Sequence, residues 1–198
     1  MSSSGRSAAS VRKPADRRVS RTRRSIDVAF LTLLQRRGYE AVAVSDIVRE
    51  ADIGRATFYE HYTSKDDLLR AQLRHVTAAK LIANPGDPAL LDATPLFAHV
   101  RDVPMLYRLV AGRTAAARSL RILQEVVEQR AAAILQAYLA TGASLRAPLT
   151  APIAARLVVA NLVALLAWWT EHGMAETPDE MQALFGACVG SMLAPARD

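Results

Sequence analysis

Arg55, Ala56 and Thr57 stand directly after Gly54 and ahead of Phe58 and Tyr59. Their chemistry is recognition, not bond-making. A forked guanidinium forms paired hydrogen bonds with a guanine edge or a phosphate, and a hydroxyl donates or accepts. An alanine methyl is small enough for close approach and can meet a thymine methyl. Gly54 leaves the first amides of a following helix bare, where the helix dipole favours an anion. No comparable set exists for catalysis. There is no Gly-rich phosphate loop, HExxH, paired-cysteine motif or nucleophile elbow, and His61, His75, His99 and His172 lack metal-ligand spacing. The sequence therefore predicts no enzyme, cofactor or metal. A lone Cys188 rules out a disulfide framework and suits a reducing cytoplasm.

The elements around these residues read as helices throughout. Ile26, Ala29, Phe30, Leu33 and Leu34 recur at spacings of three and four from about Ser20, and Gly38 closes that helix. Val44, Ile47, Val48 and Ala51 form a second short face. Asp52-Ile53-Gly54 breaks it, and Arg55 to Tyr62 resumes as a third helix. Two short helices separated by three residues have the geometry of a helix-turn-helix, whose second helix enters the major groove. Ser64 with Asp67 opens a fourth helix, running to about Leu81.

The stretch from Gly38 to Leu69 resembles the DNA-binding domain of the TetR family of regulators. The family's third helix carries Thr/Ser–aliphatic–Tyr–x–His/Tyr–Phe, then Ser/Asn-Lys-x-x-Leu. Thr57, Phe58, Tyr59, His61, Tyr62, Ser64, Lys65 and Leu68 occupy those places in order. The resemblance implies that Arg55, Ala56 and Thr57 lie in the groove and that Tyr59 and His61 bind phosphate oxygens. Lys65 pins a further phosphate, and Ser45 contacts DNA from the second helix. Phe58, Tyr62, Ile47 and Val48 are assigned to the core. Two departures stand out. Ala43 occupies the usual Thr/Ser N-cap of the second helix, which forfeits about 1 kcal/mol of capping unless Ser45 compensates. Asp52 replaces a turn glycine, and Asp tolerates the left-handed conformation.

The rest of the chain continues as helices. Asn84-Pro85-Gly86-Asp87-Pro88 is a loop, Thr94-Pro95 an N-cap and first-turn pair, and Pro104 a break before a short helix. A long helix after Gly112 runs to about Ala140, and Thr150-Ala151-Pro152 starts an apolar one. Thr177-Pro178-Asp179-Glu180 is a capping box for the last. The expected fold is all-α: a three-helix N-terminal helix-turn-helix domain plus a C-terminal helical bundle, about nine helices, no strand. Residues 1–19 are expected to be a disordered basic arm, 20–80 the helix-turn-helix domain with helix four as connector, and 81–198 a dimerisation and ligand-sensing domain.

For that body the resemblance implies architecture, cued by Trp168-Trp169, Gly173 and Pro178-Glu180-Met181. Its last two helices are expected to pair across a two-fold axis through Leu162, Leu166, Trp169, Met181, Leu184, Phe185, Val189 and Met192. A small-molecule effector is expected among the four middle helices, against Phe97, Met105, Tyr107, Tyr138, Asn161 and Trp168. Arg101, Arg108 and Arg113 are available to an anionic one.

Charge sharpens the reading. Residues 1–24 hold eight Lys/Arg against one acid, while the remainder holds 17 basic and 18 acidic groups. An excess confined to one arm is attracted to a polyanion. The apolar run Ile153 to Trp169 is interrupted by Arg156 and Asn161 and falls short of the roughly 20 residues a spanning helix needs, so no membrane is expected. The N-terminus has no apolar core of a secretory signal. The expected partners are double-stranded DNA bearing a near-palindromic operator, a second copy of the chain and an effector, with repression the expected mode. The rival readings are an enzyme, and a helical binding protein without DNA affinity.

Overall fold

The computed structural model describes residues 14–84, 90–112 and 115–193. Nine helices and one two-stranded ladder appear among the described residues. The head comprises α1 (Pro14–Arg37), α2 (Val44–Glu50) and α3 (Arg55–His61), and α4 (Lys65–Lys80) leads into the body. The body holds α5 (Thr94–Asp102), α6 (Pro104–Ala111), α7 (Ala117–Leu139), α8 (Ala151–Glu171) and α9 (Pro178–Gly190).

Local chemistry accounts for most boundaries. Gly38 ends α1 at φ +72°, where a side chain would be strained, and its N–H donates to the Leu34 carbonyl. Ser64 Oγ accepts from the Asp67 N–H at 3.1 Å to start α4. Thr177 and Glu180 exchange reciprocal bonds to start α9: the Glu180 N–H donates to Thr177 Oγ1, and Glu180 accepts from the Thr177 N–H. Pro104 occupies the first turn of α6.

Three expectations need correction. Helix α1 begins at Pro14, so residues 14–19 are helical and only 1–13 of the expected arm lie outside the described residues. Thr94 is inside α5 and does not cap it. Ala93 precedes the helix, and the Asp92 carboxylate accepts from the Thr94 N–H instead. A short antiparallel pair, β1 (Ile82–Ala83) with β2 (Leu91–Asp92), replaces the expected strand-free connection, with Ile82 opposite Asp92. The loop centred on Pro85 to Pro88 lies outside the described residues, as does Arg113.

One contiguous core runs from head to body. Ile26, Phe30, Ile47 and Phe58 anchor it in the head; Phe97, Trp169 and Phe185 anchor it in the body, all fully buried. Phe97 meets Trp169 and Phe185 edge-on, at 5.8 and 6.4 Å between centroids. Helix α4 packs along α7, and α8 packs on α6, α7 and α9. By length and composition α8 would suffice to cross a membrane, but it buries one face inside this bundle.

Candidate nucleic-acid interface

The turn between α2 and α3 is built as its residues require. Asp52 sits at φ +51°, the left-handed conformation a short polar side chain tolerates. Ala43 caps α2 with no oxygen of its own. The compensation comes from Asp46, not Ser45: the Asp46 carboxylate accepts from the Ala43 N–H at 3.1 Å. Arg49 at 2.6 Å and Arg37 at 3.4 Å hold that carboxylate in place. Asp46 accordingly has its pKa held below the usual carboxylate range, first by the Ala43 amide and then by these arginines.

Helix α3 is braced from behind. Phe58 is fully buried, and Tyr62 is buried as well. That hydroxyl donates to Asp27 Oδ1 at 2.9 Å and accepts from Arg23 Nε at 3.0 Å, so both partners lie on α1. Burial pushes the Tyr62 phenol up to about 12, with Arg23 opposing and Asp27 reinforcing the shift. Ser25 Oγ donates to the Ala51 carbonyl at 3.0 Å and ties α1 to the end of α2. Nothing in local periodicity signals these bonds, because each spans more than 25 residues.

The opposite face of α3 is open. Arg55, Ala56 and Tyr59 are exposed, Thr57 and His61 partly so, and Ser45 is exposed on α2. Tyr59 is 46% exposed, which excludes a purely packing role for its ring. The Arg55 guanidinium lies 5.8 Å from that ring, and the Tyr59 ring stands edge-on to Phe58 at 5.5 Å. No side chain caps the N-terminus of α3.

Lys65, expected at a phosphate, is engaged within the chain. Its ammonium donates to the carbonyls of Tyr39 and Val42 at 2.9 Å each and of Glu40 at 3.3 Å, and stands 4.5 Å from the Tyr39 ring centre. The charge is spent on holding the α1–α2 loop. Beside it, the Tyr39 hydroxyl donates to Asp66, which also pairs with Arg118 of α7. Burial opposes the Asp66 carboxylate, but Arg118, Tyr39 and Lys65 outweigh it and hold its pKa below the usual range.

With that geometry in place, likeness to known proteins is specific. The model of the bacterial regulatory proteins of the tetR family matches residues 28–71. Residues 28–71 thus form a TetR-type head. The TetR-type head is 43% identical over 67 residues to the uncharacterised HTH-type transcriptional regulator YxbF of Bacillus subtilis, covering 33% of this chain and 18% of that protein. It is 44% identical over 57 residues to the HTH-type transcriptional repressor LfrR of Mycolicibacterium smegmatis, covering 28% of this chain and 29% of that protein. The match thus spans less than a third of either curated relative. The TetR-type fold extends further: full-length TylP, a tetR regulator from Streptomyces fradiae, superposes with a TM-score of 0.67 at 21% identity, covering 91% of this chain and 83% of that one.

The body residues singled out from sequence fare differently. Leu162, Leu166, Trp169, Met181, Phe185, Val189 and Met192 are buried within their own chain, whereas Leu184 is exposed, at 49%. The apolar side chains that α8 and α9 leave open are Ile153, Leu157, Trp168 and Leu184. The six expected effector contacts do not share a cavity. Phe97 is core, Met105 and Trp168 are surface, and Asn161 bonds its own helix at the Leu157 carbonyl. Tyr138 is partly buried near the end of α7, and only Tyr107 lines an open cavity. Arg101 donates to the Glu176 carbonyl at 2.6 Å and Arg108 to the Thr170 carbonyl at 2.7 Å, so neither guanidinium is held ready for an anion.

Proposed function

We propose that the chain is a sequence-specific, DNA-binding transcriptional repressor that acts as a homodimer in the cytoplasm and leaves its operator when a small molecule binds. The observation that carries this is the exposed, uncapped first turn of α3, held rigid by Phe58 and the Tyr62–Asp27–Arg23 bonds. Arg55 and Thr57 read base edges, Ala56 lies against them, and Tyr59, His61 and Ser45 contact the phosphates. Lys65 supports that surface from behind. The basic first turns of α1, with Arg18, Arg21 and Arg24 exposed, add electrostatic attraction.

A dimer fits the same reading, because paired heads match the two halves of a near-palindrome. Its contact face is the apolar stripe of α8 and α9 around Ile153, Leu157, Trp168 and Leu184, a concentration of exposed apolar groups that water disfavours. Repression is the mode of LfrR, a transcriptional repressor whose head resembles this one.

The test is fluorescence anisotropy with duplex DNA from upstream of the protein's own gene. Arg55→Ala should cost about 1–3 kcal/mol on the operator and relax specificity at one base pair. An unchanged affinity removes α3 as the reading helix, and indifference to every duplex at low salt removes DNA binding altogether.

A further inference from the structure

The middle of the body, where an effector is expected, is closed. The space between α4, α7 and α8 beside Leu123, Val127 and Leu166 is about 10 Å³, room for one water at most. A much larger cavity of about 270 Å³ lies instead where the head meets the body. Leu31 and Leu34 of α1 and Leu69 of α4 form one wall; Val103, Leu106 and Val110 form the other. It is a partly open cleft, far larger than the voids that packed interiors leave.

Its polar groups are few and unengaged. Gln72, His99 and Tyr107 line it, and neither ring has a hydrogen-bond partner among the described residues. Tyr107 is 8% exposed. No fully buried polar side-chain atom lacks a partner among the described residues, so the unpartnered Tyr107 hydroxyl keeps some exposure. The His99 ring stands edge-on to Tyr107 at 5.9 Å. Burial, seconded by Lys80 and opposed by Asp102, keeps that imidazole neutral, able to donate from one nitrogen or accept at the other.

We propose that this cavity binds a small, largely apolar molecule of one or two rings carrying a single hydroxyl or carbonyl group, which Tyr107 and His99 hydrogen-bond between head and body. The volume sets the size, just below the range of about 300–1,000 Å³ typical of small-molecule sites. The apolar walls exclude a charged occupant, whose desolvation nothing there repays. Because α1 and α4 form half of the site, its occupation alters how the head seats on the body. That consequence for DNA rests on the regulator reading above, and linkage makes it reciprocal.

The probe is 1-naphthol, titrated into the purified full chain without DNA and followed by calorimetry and naphthol fluorescence. Saturable binding of a single molecule per chain is expected. Leu106→Trp, which fills the room from a half-buried position, should abolish it. Tyr107→Phe should weaken 1-naphthol about five-fold and leave 1-methylnaphthalene unchanged. Absence of saturable binding to the unaltered chain overturns the proposal, as does binding that neither substitution changes. Should Leu106→Trp misfold, the single-oxygen change at Tyr107 decides. Titrating the operator complex with 1-naphthol separates the two readings. Binding that leaves DNA affinity unmoved keeps the cavity site and sinks release by effector.

Discussion

Lys65→Met is the substitution that most sharply separates the two roles open to that lysine. The thioether keeps the length of the stem and removes the ammonium. Three carbonyls then lose a donor, at 2.9, 2.9 and 3.3 Å, and the Tyr39 ring loses its cation at 4.5 Å. Tyr39 and Val42 are buried, so water replaces the donor poorly there, whereas Glu40 is exposed and is rehydrated. Hydrogen bonds from a charged donor contribute roughly 1.5–3 kcal/mol each, and such contributions are less than additive. The expected loss is therefore about 2–3 kcal/mol, a large share of a total stability of about 5–15 kcal/mol. In urea that moves the unfolding midpoint by about 1 M. DNA binding by the folded protein should keep its salt dependence, because no phosphate contact is lost. A phosphate role predicts the reverse: unchanged urea midpoint and a salt slope reduced by about one. That second pattern would refute the loop-clamp assignment.

Three further outcomes follow from the same geometry. Leu184→Glu and Leu157→Glu should each convert a dimer to monomers by light scattering and weaken operator binding; dimers persisting in both would remove the α8–α9 face. Trp169→Ala empties a fully buried site and costs about 3–5 kcal/mol, lowering the thermal midpoint by at least about 6 °C; a smaller fall would mean the core around Phe97 and Phe185 repacks. Asp66 has a depressed pKa in the fold, so its contribution is present above the unfolded value near about 3.9 and is lost as pH falls through the folded one. Acid unfolding of Asp66→Asn should therefore converge with that of the unaltered chain at low pH, and curves that stay parallel would contradict the ion-pair account.

The head was legible because its signals are local. Gly38, Asp52 and the Ser64–Asp67 pair each dictate a backbone conformation from within a few residues, and all three behave as their chemistry requires. The loop contacts of Lys65 were not legible because its three acceptors lie more than 20 residues away. The burial of most expected dimer contacts was not legible for a different reason. Helix α8 is apolar nearly all round, so periodicity picks out its stripes without saying which one the chain buries for itself. The cavity had no pattern at all in the sequence, since its walls come from four helices and form only when the head seats on the body.

Helix α4 belongs to both halves of the molecule, starting beside the α3 surface proposed to meet DNA and ending at the body's small sheet. Its 16 residues make a rod of roughly 24 Å. Pivoting that rod by only 5° about its far end carries its near end through roughly 2 Å, more than the tolerance of a hydrogen bond. A shift too small to disturb packing in the body thus becomes a loss of register at the groove. Symmetry would double it, because two rods in a dimer pivot in opposite senses.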